Sequence, residues 1–419
     1  LFMSVFNSVP PKINQIYLIK WLKENYSILS KKSISLKNLN SERDKNFLVN
    51  TDTKQKYVLK ISNPEESKNI LDLQDYVLDN LAKRTSLNQY IPKKIHSSIK
   101  IYSDLINRKC FVRLLTYIDG KMYASVKHDG FLEESLGMLL GNLSKELQNL
   151  IKPSAFRKFE WDPSNISWII KEVSMFKGKN KELIINNLHE HNVFVKKNLK
   201  KLRFSLTHGD ANNYNLVVKN NKVLGLLDYG DMIYAPTIND LAVSLSYALM
   251  NKNDLYSTLK NIIVSDHKIF EITLDEIFSL MSLVKARLII TVFMAEKQRK
   301  KFPDNTYLSI SENDAWKLLH KLNNINPYLL IFLIRDLCGY PISKNYKSIN
   351  IFLKTNNFAS VLDNSLNQIN KSIISFASNS IFTRNYVHKP ISLTKTINTY
   401  LKNNDSEIGI GLYKEKRNV

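Results

Sequence analysis

Two short polar clusters carry the residue types that phosphoryl transfer needs: His208-Gly209-Asp210 with Asn215 close behind, and Asp228-Tyr229-Gly230-Asp231. An aspartate that can take a hydroxyl proton, an asparagine four intervening residues later and a downstream metal-binding aspartate form a recurring layout for that chemistry. Leu216-Val217-Val218 and Val223 to Leu227 are apolar runs separated by Lys219-Asn220-Asn221-Lys222, so a tight hairpin is the natural reading. Centring its turn on Asn220-Asn221 sets Asn215 opposite Leu226. Strand alternation then projects Asn215 and Asp228 from one side, roughly 7 Å apart. That separation suits one or two Mg²⁺ ions held by few protein oxygens and completed by water and phosphate oxygens. Asp210, just upstream, is expected to face an acceptor hydroxyl. Asn and Asp also favour turns for purely local reasons, but three such positions on a strand-turn-strand frame are hard to obtain from turn chemistry alone.

Several upstream elements must position these groups. Residues 13 to 26 carry apolar positions at helical spacing, which predicts a leading packing helix. From Leu36 to Ile61 two β-hairpins are expected. The first turn, Ser41-Glu42-Arg43-Asp44, has no glycine, and Ser41 and Asn46 are either donors to a triphosphate or parts of an ordinary polar turn. Lys60, a lone cation in Tyr57-Val58-Leu59-Lys60-Ile61, stands where a phosphate-binding lysine is needed. Asn63, Pro64 and Glu66 read as the capped start of the next helix. On that helix Asp72, Asp75 and Asp79 share a polar face; Asp72 is the candidate partner of Lys60, with a solvated acidic stripe as the alternative.

Strands around residues 99–102 and 110–115 lead to Thr116-Tyr117-Ile118-Asp119-Gly120, a break that suits a hinge between two lobes. Beyond it the pattern turns helical, with Leu136, Leu139, Leu140, Leu143, Leu147 and Leu150 on one face. Trp161 and Asp162, in Phe159-Glu160-Trp161-Asp162, either line a pocket for a cationic acceptor or serve as a core aromatic and a cap. His189 and His191 lie two apart on a helix, point different ways and read as solvent-facing. Asp240 reads as a helix cap, and Arg287, inside an apolar run, as the partner of a buried acid. Helices are expected over Leu274 to Lys300 and Ser311 to Leu322.

Composition narrows the function classes. The 419 residues, 44% hydrophobic, suffice for a large core and two or three domains. The net charge of +22 comes from lysines scattered among asparagines and isoleucines, the bias of an AT-rich coding sequence, and no nucleic-acid motif accompanies it. The positive field would still attract a nucleoside triphosphate. No uninterrupted apolar run reaches the roughly 20 residues a bilayer span needs, and Asn7, Pro10, Pro11 and Lys12 break any signal-peptide core. Two cysteines, Cys110 and Cys338, make no disulfide framework or zinc site. The expectations are a cytoplasmic protein without membrane or nucleic-acid partners. Leu1 in place of an initiator Met, and an end just past a strand-like Ile408 to Tyr413, suggest a fragment.

From His208 to Asp231 the sequence resembles the aminoglycoside phosphotransferase and choline kinase superfamily. The wider pattern is similar to its hydroxylysine kinase branch: SERDKNF at 41–47, YVLKISN at 57–63, CFVRLLTYIDG at 110–120, FEWD at 159–162, HGDANNYN at 208–215 and LLDYGDMIY at 226–234. The resemblance covers roughly residues 35 to 325 and implies an α+β, protein-kinase-like fold: an N-lobe with a small antiparallel sheet (1–115), a mostly helical C-lobe (116–325) and a connector (326–419). It implies Asp210 as base, Asn215 and Asp228 as Mg²⁺ ligands, Lys60 on the phosphates of ATP or GTP, and Asp72 where the family has a helix glutamate. His208 and Asp231 would support the loop and the metal shell from behind. Residues 336–341 and 408–413 look similar to the connector of large fusions joining such a kinase to peptidase-like and aminotransferase modules. The expected activity is phosphoryl transfer to a small amine-bearing alcohol: a hydroxylysine-like amino acid, an amino alcohol or an aminoglycoside. The competing expectation is an inactive nucleotide-binding regulatory module.

Overall fold

The computed structural model describes residues 9–41, 44–96, 98–301 and 311–341, together with the backbone of three further strands, Ile374–Ala377, Ser380–Thr383 and Gly409–Leu412. The expected donor loop at Glu42 and Arg43, and most of the expected connector, lie outside the described residues. The chain divides into two compact units, Leu1–Asp162 with Arg203–Ala248, and Pro163–Leu202 with Leu249–Val419.

The first unit is built on a five-stranded antiparallel sheet of order β1-β2-β3-β5-β4, with β1 Ile34–Leu39, β2 Lys45–Thr51, β3 Lys56–Ile61, β4 Lys100–Ser103 and β5 Lys109–Thr116. Period-two alternation sorts its faces. Phe47, Val49, Tyr57, Leu59, Ile61, Val112 and Leu114 point one way and are buried against Leu18, Leu22, Tyr26 and Leu29. Leu18 and Leu22 belong to α1 (Gln15–Asn25), the leading helix, whose first free N–H groups are capped by the Asn14 side chain. The other face carries Asn46, Lys60 and Arg113, which stand in direct register across β2, β3 and β5.

α2 (Lys68–Leu81) covers that polar face; its N-cap is Ser67, so the cap expected at Asn63 is not formed. Asn63 instead closes a local turn, accepting from Glu65 N at 3.0 Å, while its own N–H donates to Asp44 Oδ1 at 3.0 Å. The side chain of an Asx residue followed by proline satisfied a turn before the helix could begin. After β6 (Lys121–Met122) comes α3 (Gly130–Leu147), capped by Asp129, with the expected leucine face buried.

In the second unit α4 is Gly178–His191. Back in the first, β7 (Phe204–Thr207) pairs with β10 (Ile233–Pro236), and β8 (Leu216–Lys219) lies between β6 and β9 (Lys222–Leu226). α5 (Asn239–Ala248) is buried at every position. The helices α6 (Leu255–His267), α7 (Leu274–Lys301), α8 (Glu312–Asn323) and α9 (Pro327–Leu337) also belong to the second unit, where α9 packs on α6 and α7. β11, β12 and β13 are the three further strands, antiparallel then parallel.

Within α7, Leu274–Lys300 is long and apolar enough to cross a bilayer, a property that counting uninterrupted runs missed because Lys285 and Arg287 divide it. Yet 94% of its most apolar window is buried inside the fold. Both cations are buried too, Lys285 donating to Glu190 at 2.8 Å, as expected of a core helix.

Candidate active site

The hairpin forms where the apolar runs place it. Asn220 and Asn221 both adopt positive φ, 51° and 58°, which a two-residue turn of this hand requires and asparagine tolerates. The register differs from expectation by one residue. Val218 pairs with Val223 but Val217 with Gly225, so Leu224 is an extra, bulged residue and Leu216 faces Leu226. Asn215 therefore meets Leu227, whose N–H donates to its carbonyl at 2.8 Å. Strand alternation also stops short of Asp228, which is left-handed at φ 58°.

That turn delivers Asp228 to the sheet. Lys60 Nζ donates to Asp228 Oδ1 at 2.9 Å, with the lysine side chain 14% exposed and the aspartate 53%. Asn215 turns the other way along the loop: its Nδ2 donates to Asp210 Oδ2 at 2.8 Å and to the Asp210 carbonyl at 2.8 Å. Asn212 Nδ2 also donates to Asp210 Oδ2, at 2.9 Å. These two amides orient the carboxylate.

The loop rests on buried polar groups. His208 is fully buried; its Nδ1 accepts from Asp210 N at 3.2 Å and its Nε2–H donates to the Leu227 carbonyl at 3.1 Å. Burial lowers its pKa to about 4, so the imidazole is a neutral strut. Asp240, which sequence reading made a helix cap, accepts from His208 N and Gly209 N, both at 2.9 Å. Burial pushes its carboxyl up to about 6 although those N–H donors favour the anion. Gly209 has φ +79°, and a Cβ there would meet the Asp231 carbonyl at 2.5 Å. Asp231 thus presses its backbone on the 208–215 loop from behind.

Arg157, absent from the sequence reading, donates Nη2–H to the carbonyls of Gly230 at 3.0 Å and Met232 at 3.2 Å. Asp162 accepts from Asn239 Nδ2 at 3.0 Å, beside Asp240, and Trp161 is half-buried in the same segment. The segment 157–162 thereby borders both the Asp228 turn and the anchor of Gly209.

One expected partner is placed elsewhere. Asp72 pairs with Lys68 one helical turn away, at 2.7 Å, and not with Lys60, because the buried side of α2 carries Leu71, Gln74, Asp75 and Leu78 and leaves Asp72 off it. Asp75 is the buried acid on that face, and it binds Arg113 at 3.2 Å. Ser41 is exposed in the β1–β2 turn, whereas Asn46 stands next to Lys60 on the adjacent strand. His189 is exposed as expected, but His191 is buried and bonded to the Pro163 carbonyl at 2.9 Å. Arg287 is buried, at 2% exposure.

Lys60, Asp228, Asn215 and Asp210 are thus joined by the strand, the hairpin and the loop. Among the described residues no group of three or more His, Cys, Asp or Glu could hold a metal ion. Asn215 and Asp228 supply hard oxygen donors in small number, as Mg²⁺ prefers.

A sequence model described as the phosphotransferase enzyme family matches residues 35–256, just over half the chain. The chain is 26% identical to a hydroxylysine kinase of Xenopus laevis over 352 residues, covering 77% of this chain and 93% of that protein. It is 27% identical to a hydroxylysine kinase of Mus musculus over 326 residues, 71% of this chain and 86% of the relative. Among solved structures, an amicoumacin kinase in complex with AMP-PNP and Ca²⁺ superimposes with a TM-score of 0.57 at 13% identity, over 76% of this chain and 97% of that one. A microcompartment-associated aminopropanol kinase gives 0.54 at 15% identity, over 80% and 98%. These structures share the two-lobed, kinase-like α+β fold.

Proposed function

We propose, from the premise that this chain belongs to the phosphotransferase enzyme family and is a small-molecule kinase acting on a hydroxyl group, that it phosphorylates an amine-bearing alcohol of the hydroxylysine class. The donor is the γ-phosphoryl of ATP or GTP. The observation that carries this reading is the pair of contacts Lys60–Asp228 and Asn215–Asp210, at 2.9 and 2.8 Å, which draw the phosphate-binding, metal-binding and proton-accepting groups together.

In the reaction the acceptor oxygen forms a bond to the γ-phosphorus and the bond from that phosphorus to the β,γ-bridging oxygen breaks, releasing nucleoside diphosphate. Asp210, oriented by Asn212 and Asn215, takes the hydroxyl proton, a contribution typically worth about 10² to 10⁴ in rate. Lys60 neutralises phosphate charge, and the buried frame of His208 and Asp240 holds the loop in place before substrate arrives. Asn215 and Asp228 are the residues to hold Mg²⁺, which when bound supplies charge neutralisation on the phosphates. Phosphate binding falls to the sheet half, 1–115, and acceptor chemistry to 116–325, with the Trp161–Asp162 segment favouring a cationic acceptor and the cytoplasm as the setting. Support for the amino-acid acceptor comes from the hydroxylysine kinases, which align over most of their length.

The test is transfer of labelled phosphate from ATP and GTP, with Mg²⁺, to 5-hydroxylysine, an amino alcohol and an aminoglycoside. Hydroxylysine is expected to be the best acceptor, and Asp210→Asn to abolish turnover. Nucleotide binding without transfer to any acceptor would replace this reading with a regulatory one.

A further inference from the structure

Among the described residues, no ion pair joins Lys60 to an acid on α2. The acid that α2 offers the sheet, Asp75, is taken by two other cations, Arg113 at 3.2 Å and Lys94 at 3.4 Å, and Lys94 also holds Asp79 at 2.7 Å. Arg113 is 7% exposed and stands directly across from Lys60 in the β3–β5 register. Side chains so paired have Cβ atoms roughly 5 Å apart, and like charges there repel.

The other guanidinium nitrogen of Arg113 donates to Gln74 Oε1 at 2.7 Å. Gln74 Nε2 in turn lies 3.8 Å from the point a Cβ on Gly230 would occupy, and that point is 3.4 Å from Asp228 Oδ1. One buried cation therefore borders Lys60 on one side and, through Gln74, the turn that carries Asp228 on the other.

We propose that Arg113 is a positioning residue for the phosphate-binding lysine. By occupying Asp75 it denies Lys60 a carboxylate on α2, and its charge keeps the ammonium on the side of Asp228, where the triphosphate arrives. Arg113 touches no reacting atom and acts through Lys60. The lysine then exchanges Asp228 directly for phosphate oxygens, with no helix acid competing for it.

This inference rests on the nucleotide reading above. The probe is ADP or GDP with Mg²⁺, whichever the parent binds more tightly, titrated calorimetrically into the parent, Lys60→Met, Arg113→Met and the double variant. Each single variant is expected to bind about tenfold more weakly, and the double variant within about twofold of Lys60→Met. Arg113→Lys, which restores the charge without the fork, should recover most of the affinity. Should Arg113→Met fail to fold, Arg113→Gln, which removes the charge and leaves Asp75 in place, enters the same cycle. An arginine loss equally large when Lys60 is already Met, or no loss at all, overturns the inference while leaving the kinase reading intact. A parent that binds neither nucleotide removes both.

Discussion

Gly209→Ala isolates how tightly the 208–215 loop is held. At φ +79° a side chain adds a left-handed backbone cost of about 1–2 kcal/mol. Its Cβ would also meet the Asp231 carbonyl at 2.5 Å, and forced repacking of that kind costs about 1–3 kcal/mol. Two other glycines separate the contributions. Gly178, at φ +54° with nothing within 4 Å, carries the backbone cost alone. Gly120, whose Cβ would meet Val217 Cγ1 and Val218 O at 2.6 Å, carries the crowding alone. Urea unfolding of the three alanine variants should therefore place Gly209→Ala lowest, with a loss close to the sum of the other two, about 2–5 kcal/mol. Because Asp210 is the next residue, a displacement of about 1 Å should lower kcat by about 10²-fold, whereas Gly178→Ala should leave it unchanged. A Gly209→Ala protein as stable as Gly178→Ala, with parental kcat, would refute the claim that the Asp231 backbone fixes this loop.

His208 and Asp240 should give opposing pH dependences. Protonation of unfolded histidine below 6.5 is lost to a folded His208 with pKa about 4, so stability falls as pH drops through that window. Asp240 is raised from 3.8 to about 6, so its ionisation penalty is relieved over nearly the same range as pH drops. Each shift corresponds to about 3 kcal/mol. Relative to the parent, His208→Gln should gain stability between pH 6.5 and 4 and Asp240→Asn should lose it; parallel unfolding curves at both pH values would contradict the assignment. Asp72→Asn should leave nucleotide KM unchanged and cost under about 0.5 kcal/mol, since it breaks only an exposed pair with Lys68; a large rise in KM would return Asp72 to the phosphate site. Mg²⁺ and nucleotide at 100 times Kd should raise unfolding free energy by about 2.7 kcal/mol, and a metal chelator should abolish most of that gain together with turnover.

Residues whose role follows from local spacing were legible in the sequence. Asn220-Asn221 named the turn, Lys60 stood out on an apolar strand, and Asp210 and Asn215 are joined by the short loop between them. The bulge at Leu224 was not legible, because nothing local signals that Val217 pairs with Gly225 rather than with Leu224. Asp240 reaches the loop, and Arg157 the Asp228 turn, from 30 and more residues away, and nothing near them in the chain differs from an ordinary cap or surface cation. Arg113 gives no local sign of its place until β5 is known to lie beside β3. Asp75 rather than Asp72 lies on the buried side of α2 with Leu71, Gln74 and Leu78, and the helix begins at Lys68, five residues past the apparent cap at Asn63.

The helix that precedes the family match has a practical bearing. The family model begins at residue 35, yet Leu18, Leu22, Tyr26 and Leu29 seal the back of the sheet that presents Lys60. Removing four such side chains forfeits about 8 kcal/mol of apolar burial, comparable with the entire stability of an average domain. A gene fragment trimmed to the recognisable kinase would retain every reactive group and lose the wall those groups lean on, so the shortest foldable piece is longer than the shortest chemical one.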